Sequence, residues 1–265
     1  MNLLIKAEFR RLFATRMWAG LLVAAALLGG GMMGAMALVG PENFDPPMPG
    51  LDTETGIRSM LGILGYTAFV PAAVGTVAVT SEYRHRTAAV TFLFVPRRWQ
   101  VLAAKLVTYG VAGLAYGLVL AGTAAGALFA VAALRGVSLG LPAGTLVALL
   151  ARIGIAMLVY LLIGVGMGAL IRNQVAALSV VIGYLYLGET LLMMIPGVNL
   201  LYPVLPGGAT ASLTDFTYLA DAMSEQLGST AVQLLPPAAG ALLLAAYALT
   251  ASALAVIIPM RRDIT

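Results

Sequence analysis

The chain has 265 residues, 61% of them apolar and only 10% charged, and its mean hydropathy of +0.97 lies outside the range of water-soluble domains. It contains no cysteine, which excludes disulfides, thiolate chemistry, iron–sulfur clusters and cysteine-built zinc sites. The net charge of +4 falls beside apolar segments, a placement that suits anionic lipid headgroups and argues against nucleic-acid binding. The expected fold is therefore an all-α integral membrane protein, a single transmembrane domain over 1–265, held by helix packing alone.

At the N-terminus, Ile5, Phe9, Leu12 and Phe13 recur at helical spacing, opposite Lys6 and Arg10. This pattern predicts either an amphipathic helix lying on the inner membrane face or a simple extension of the first span. The next apolar run, 17–39, ends in Ala35-Met36-Ala37 and so imitates a secretory signal. A signal core is roughly 7 to 15 residues, and this run is longer, so it reads as a retained span.

Further apolar runs at 60–80, 106–134, 146–171, 175–195 and 238–259 are each long enough to cross a hydrocarbon core of about 30 Å. The third is longer than a crossing needs, which implies tilt or extension beyond the bilayer. With the N-terminus inside, twelve of the fifteen basic residues fall on inner segments. The outer loops keep Arg58 and Arg135 and collect Glu42, Asp45, Asp52, Glu54, Asp215, Asp221 and Glu225. The positive-inside rule then places both termini in the cytoplasm.

Two charges interrupt the spans. Arg152 lies near the outer start of the fourth and Glu189 near the outer end of the fifth, each about 9 Å below the boundary at ~1.5 Å per residue. Their common depth predicts an intramembrane ion pair; the other reading is that Arg152 snorkels outward from a span beginning at Ile153. The segment 196–235 carries Pro196, Pro203 and Pro206 with Gly197, Gly207 and Gly208, so it forms either short re-entrant or surface helices or an ordinary loop. Small-residue pairs recur at Gly30 and Gly34, Gly113 and Gly117, Gly122 and Gly126, and Gly164 and Gly168, without marking any one interface.

Between the second and third spans, Ser81 to Lys105 is strongly basic and encloses a short apolar stretch, Ala88 to Val95. Eight residues reach only about 12 Å as a helix, too short to cross. Such a helix either lies among headgroups or docks into a groove on another protein. The lone histidine, His85, sits among arginines here, where solvation is expected rather than metal binding.

In this segment the chain resembles the permease subunits of type-2 ABC transporters, which are mostly bacterial exporters. The resemblance rests on Glu82, Thr87, Pro96, Arg97 or Arg98, and Lys105 in that order, with Arg86 where the family usually has Gly, and on the closing Arg261-Arg262-Asp263-Ile264-Thr265. It implies six spans with both ends inside, a place in the bacterial cytoplasmic membrane, and a coupling helix seated on a separate ATPase subunit. Glu82, Arg84, Arg86, Thr87, Phe92, Pro96, Arg97, Arg98 and Lys105 are the candidate coupling residues. It also implies a second permease subunit, identical or not, with ATP and Mg bound on the ATPase and no cofactor in this chain.

The residues agree with that division of labour. A phosphate-cradling P-loop needs Gly-Lys-Ser/Thr, and the two lysines come directly after Ile5 and Ala104. Nucleophilic proteolysis lacks a base at the right depth. The expected function is thus a non-enzymatic permease with membrane lipids around it and a path favouring amphipathic cargo. The alternatives are a gradient-driven transporter or channel, for which Glu189 is the best ionisable candidate, or a non-transporting membrane structural protein.

Overall fold

In hydrocarbon a backbone has no water to bond, so a charge-free run of this length satisfies its own polar groups as an α-helix. The computed structural model describes residues 1–44, 47–95, 97–195, 197–218, 221 and 233–258, and no strand occurs among them. Asp45, Pro96, Pro196, Glu225 and the closing Arg261 to Thr265 lie outside these residues.

Among the described residues six helices are long and apolar enough to cross a membrane: α2 (Met17–Val39), α3 (Glu54–Arg84), α5 (Arg98–Arg135), α6 (Ala143–Ile171), α7 (Gln174–Met193) and α9 (Pro237–Ile257). Three shorter ones accompany them: α1 (Asn2–Ala14), α4 (Thr87–Phe94) and α8 (Pro206–Thr214). Local chemistry sets the ends. Helix α3 starts six residues ahead of the expected run because Thr53 caps it, its Oγ1 accepting from the Gly56 N–H at 3.0 Å. Asn173 Oδ1 likewise accepts from the Ala176 N–H at the start of α7, and Pro206 and Pro237 occupy first-turn positions where a missing N–H costs nothing. Helix α5 runs 38 residues, about 57 Å, well beyond a hydrocarbon core.

Helix α6 is the centre of the bundle, packed against α3, α5 and α9, while α2 lies on α5 and α7 on α3. Over half of the apolar window of α3 is buried against protein but only 17% of that of α7. The remaining apolar surface, Leu118, Val147, Leu187, Leu242 and Leu249 among it, is exposed to whatever surrounds the bundle. Water would not tolerate so large an apolar surface; lipid does.

Lipid tails are as apolar as leucine, so close backbone approach, rather than escape from water, holds such helices together. Three of the four glycine pairs noted in the sequence serve this inside the chain. Gly164 and Gly168 lie against Ala72 and Thr76 of α3, Gly113 and Gly117 against Leu158 and Gly154 of α6, and Gly30 and Gly34 face Thr123 and Ala127 of α5. Gly122 and Gly126 face open space.

The segment 81–105 is less a loop than a helical corner. Glu82 still belongs to α3 and Lys105 to α5, with α4 between them after a sharp turn. That turn is made by Arg86 at φ 57°, a left-handed conformation that suits glycine and crowds any Cβ. Arg86 is exposed, so Arg86→Gly relieves the crowding without loss of packing. It is expected to raise stability by about 1 kcal/mol, read as a higher unfolding midpoint in detergent, whereas Arg86→Ala leaves the midpoint where it is.

Candidate functional site

Three helices meet at the end of the bundle where the chain begins. Helix α1 brings Glu8 and Arg11, the last turn of α3 brings Glu82, and α5 brings Lys105 two turns from its start. Lys105 is 2% exposed, and its Nζ donates to Glu8 Oε2 at 2.8 Å and to Glu82 Oε1 at 2.5 Å. Arg11 donates to the same Glu82 oxygen and, at 3.2 Å, to Glu8. Two cations and two carboxylates cancel, which lets Lys105, Glu8 and Glu82 be buried while the Arg11 side chain stays 43% exposed. Each carboxylate accepts from both cations, so no one of the four can leave without exposing the others' charge.

Sequence reasoning found two of these four. Glu82 and Lys105 came from the coupling pattern, while Glu8 and Arg11 were missed. A signal was present: Glu8 is the sole acid in a basic helix, three residues before Arg11 and four before Leu12, hence on one face with both. The structure buries Glu8 and Leu12 together against the bundle and leaves Lys6, Arg10 and Phe13 outside, with Ile5 and Phe9 half-buried. Phe13 stacks on Phe9 and meets Trp18 edge-on at 5.8 Å. The expected purely apolar face is thus a mixed one, because a neutralised ion cluster docks the helix as well as leucine does.

Immediately beside this cluster stands α4. Ala88 is buried under it, and Thr87 Oγ1 approaches the Glu82 carbonyl at 3.4 Å. Phe92, the aromatic singled out in the sequence, is half-buried, with the Arg98 guanidinium 5.3 Å from its ring centroid. The residues that face outward are its neighbours, Leu93 and Phe94, 81% and 83% exposed, with Trp99 half-exposed nearby. Around them Arg84, Arg86 and Arg97 are exposed. This is an exposed apolar knob flanked along the chain by exposed arginines.

No family model matches the chain, and no curated protein matches it. The site therefore has to be read from its own chemistry.

At the opposite end the ion pair expected between Arg152 and Glu189 is not formed. Glu189 is 6% exposed, and both its oxygens accept from the Gly207 N–H, at 2.9 and 2.8 Å, at the start of α8. Two features defeat the sequence argument. A π-helical turn at Tyr184–Gly188 adds a residue to the helix and rotates the residues beyond it by about 100°. Helix α8, in the segment expected to form short re-entrant or surface helices or a loop, is a short helix buried from Gly208 to Thr214 between α9 and α6, and offers an N-terminus to the carboxylate. A side chain on Gly207 would push the Glu189 carboxylate aside. Arg58 closes this end, reaching Glu54 at 2.7 Å and Asp215 at 2.8 Å, and Arg135 joins Glu42 at 2.5 Å and the Ala37 carbonyl.

Removing Lys105 would leave two buried carboxylates with only Arg11 between them, one negative charge uncompensated. Lys105→Met is expected to cost about 3 to 5 kcal/mol, read as a lowered unfolding midpoint of the full chain in detergent. Adding Glu8→Gln to that variant recovers part of the loss. An unchanged midpoint in the single variant would show that the cluster is not holding these helices.

Proposed function

We propose that this chain is the membrane-spanning permease subunit of an ATP-driven transporter of the type-2 ABC class. Its start, the α4 corner and its end would lie on the cytoplasmic side, α1 in the plane of the inner face, and α4 would be seated on a separate ATPase. The observation that carries the reading is the short, outward-facing α4 at the corner between α3 and α5, two long helices whose adjoining ends are tied to each other by the Glu82–Lys105 contact of the ion cluster. A load applied at Leu93 and Phe94 passes through Glu82 into α3 and through Lys105 into α5, because the cluster resists separation.

The charge arrangement supports the same orientation. Arg84, Arg86 and Arg97 surround α4, whereas Glu42, Glu54 and Asp215 gather at the far end. With α4 as the docking element, the chain works beside a second permease subunit, and cargo moves outward along the path between them. Glu189, a carboxylate buried at membrane depth, favours one second reading, a gradient-driven transporter.

Purification of the tagged chain from its native membrane in mild detergent separates the two. The expected result is recovery of a P-loop ATPase with ATP hydrolysis in the eluate. The double substitution Leu93→Asp/Phe94→Asp is expected to lose that partner while leaving the unfolding midpoint unchanged, since both side chains are already outside the fold. Recovery of the wild-type chain with no ATPase would reject the proposal and leave the gradient-driven reading.

A further inference from the structure

The cavity beside Glu189 has a composition unlike the rest of the bundle. Its volume is about 60 Å³, and of its seventeen lining residues six are aromatic, Tyr66, Phe69, Tyr160, Tyr186, Tyr202 and Phe216, in a chain that is 8% aromatic. One carboxylate, Glu189, faces the space, and no lysine or arginine lines it. The walls are braced by edge-to-face contacts, Tyr66 on Phe216 at 6.2 Å and Phe69 on Tyr186 at 5.2 Å.

We propose that this cavity binds the head of a small organic ammonium ion whose apolar tail extends into the bilayer. A buried carboxylate with no lysine or arginine within ion-pair reach among the described residues lacks only a countercharge. Its two oxygens share the Gly207 N–H and also interact with the Tyr184 hydroxyl, which still leaves lone pairs able to accept. Aromatic side chains beside a carboxylate add to the attraction for a cation wherever a ring face meets it, and offer nothing to an anion. A divalent metal fits poorly, since it takes about six oxygen ligands. Here the hydroxyls of Tyr160 and Thr210 are engaged with each other at 3.0 Å, and Thr210 also with the Pro206 carbonyl.

The size of the cavity narrows the ligand class. A space of about 60 Å³ holds a few waters or one methylated ammonium head, and pockets for whole drug-sized ligands run to about 300 Å³ or more. Tyr66 and Tyr186 are each nearly half exposed, so the cavity has an open rim on the side of α3 and α7. A tail leaving over that rim runs along the exposed apolar surface of Leu187 and Leu191. Binding at this site does not depend on the ATPase reading; only the description of the ligand as transported cargo rests on it.

The test uses the full chain in lipid nanodiscs without any ATPase. Titration calorimetry with choline is compared with its neutral carbon isostere, in which a quaternary carbon replaces the nitrogen. The proposal expects choline to bind and the isostere to bind at least about tenfold more weakly. Glu189→Gln, whose carbonyl still accepts from Gly207, should weaken choline by a similar factor with the unfolding midpoint retained. Equal binding of the two probes, no binding of either, or full choline affinity in Glu189→Gln would each overturn it. If the variant does not fold, the wild-type comparison of the two probes still decides. A chain that recruits an ATPase but binds neither probe would reject this inference alone, and one that binds choline but recruits no ATPase would reject the permease reading alone.

Discussion

The ammonium of Lys105, buried between the carboxylates of Glu8 and Glu82, is the contact on which the organisation of this end of the molecule depends. Apolar helices in lipid gain little by choosing one neighbour over another. A neutralised charge cluster is different, because a partner removed leaves an ion with neither water nor countercharge. It therefore fixes which helices meet, and at what height. Here it fixes α1, α3 and α5 to one another, at the corner where α4 stands between the last two.

The far end solves the same problem by other means. Glu189 is satisfied by the start of α8 rather than by a cation, so the carboxylate keeps its charge-binding capacity while its position is fixed. Helix α8 can sit there because its face is made of Gly208, Ala209, Ala211 and Ser212, small enough to lie close to α9. One end of the bundle thus holds a closed set of charges, suited to transmitting force. The other holds an open one, beside an aromatic cavity.

Much of this was legible in the sequence. The six long helices are dictated by runs without charge, since burying even one ion in hydrocarbon is expensive. The short α4 is dictated by apolar residues fenced by arginines, whereas the left-handed backbone at Arg86 came only with the structure. The inward or outward direction of Phe92 and its neighbours was not legible, because an eight-residue apolar stretch shows no face until its packing is known. Glu8 and Arg11 were hidden by an amphipathic pattern that counted apolar residues and treated charges as the outer face. The partner of Glu189 was hidden by a π turn, which breaks the constant angle per residue that depth and phase arguments assume, and by α8, a helix too short and too glycine-rich for periodicity to reveal.

If the buried cluster is what mounts α1 on the bundle, then its loss must release that helix before it disturbs the long ones. Hydrogen–deuterium exchange of the full chain in nanodiscs, wild type against Lys105→Met, reads this directly at the amides of residues 2–14. The account predicts slow exchange over α1 in the wild type and fast exchange in the variant, with α6 protected in both. Equal protection of α1 in the two proteins would contradict it, and would mean that Leu12 and its apolar neighbours alone hold the helix in place.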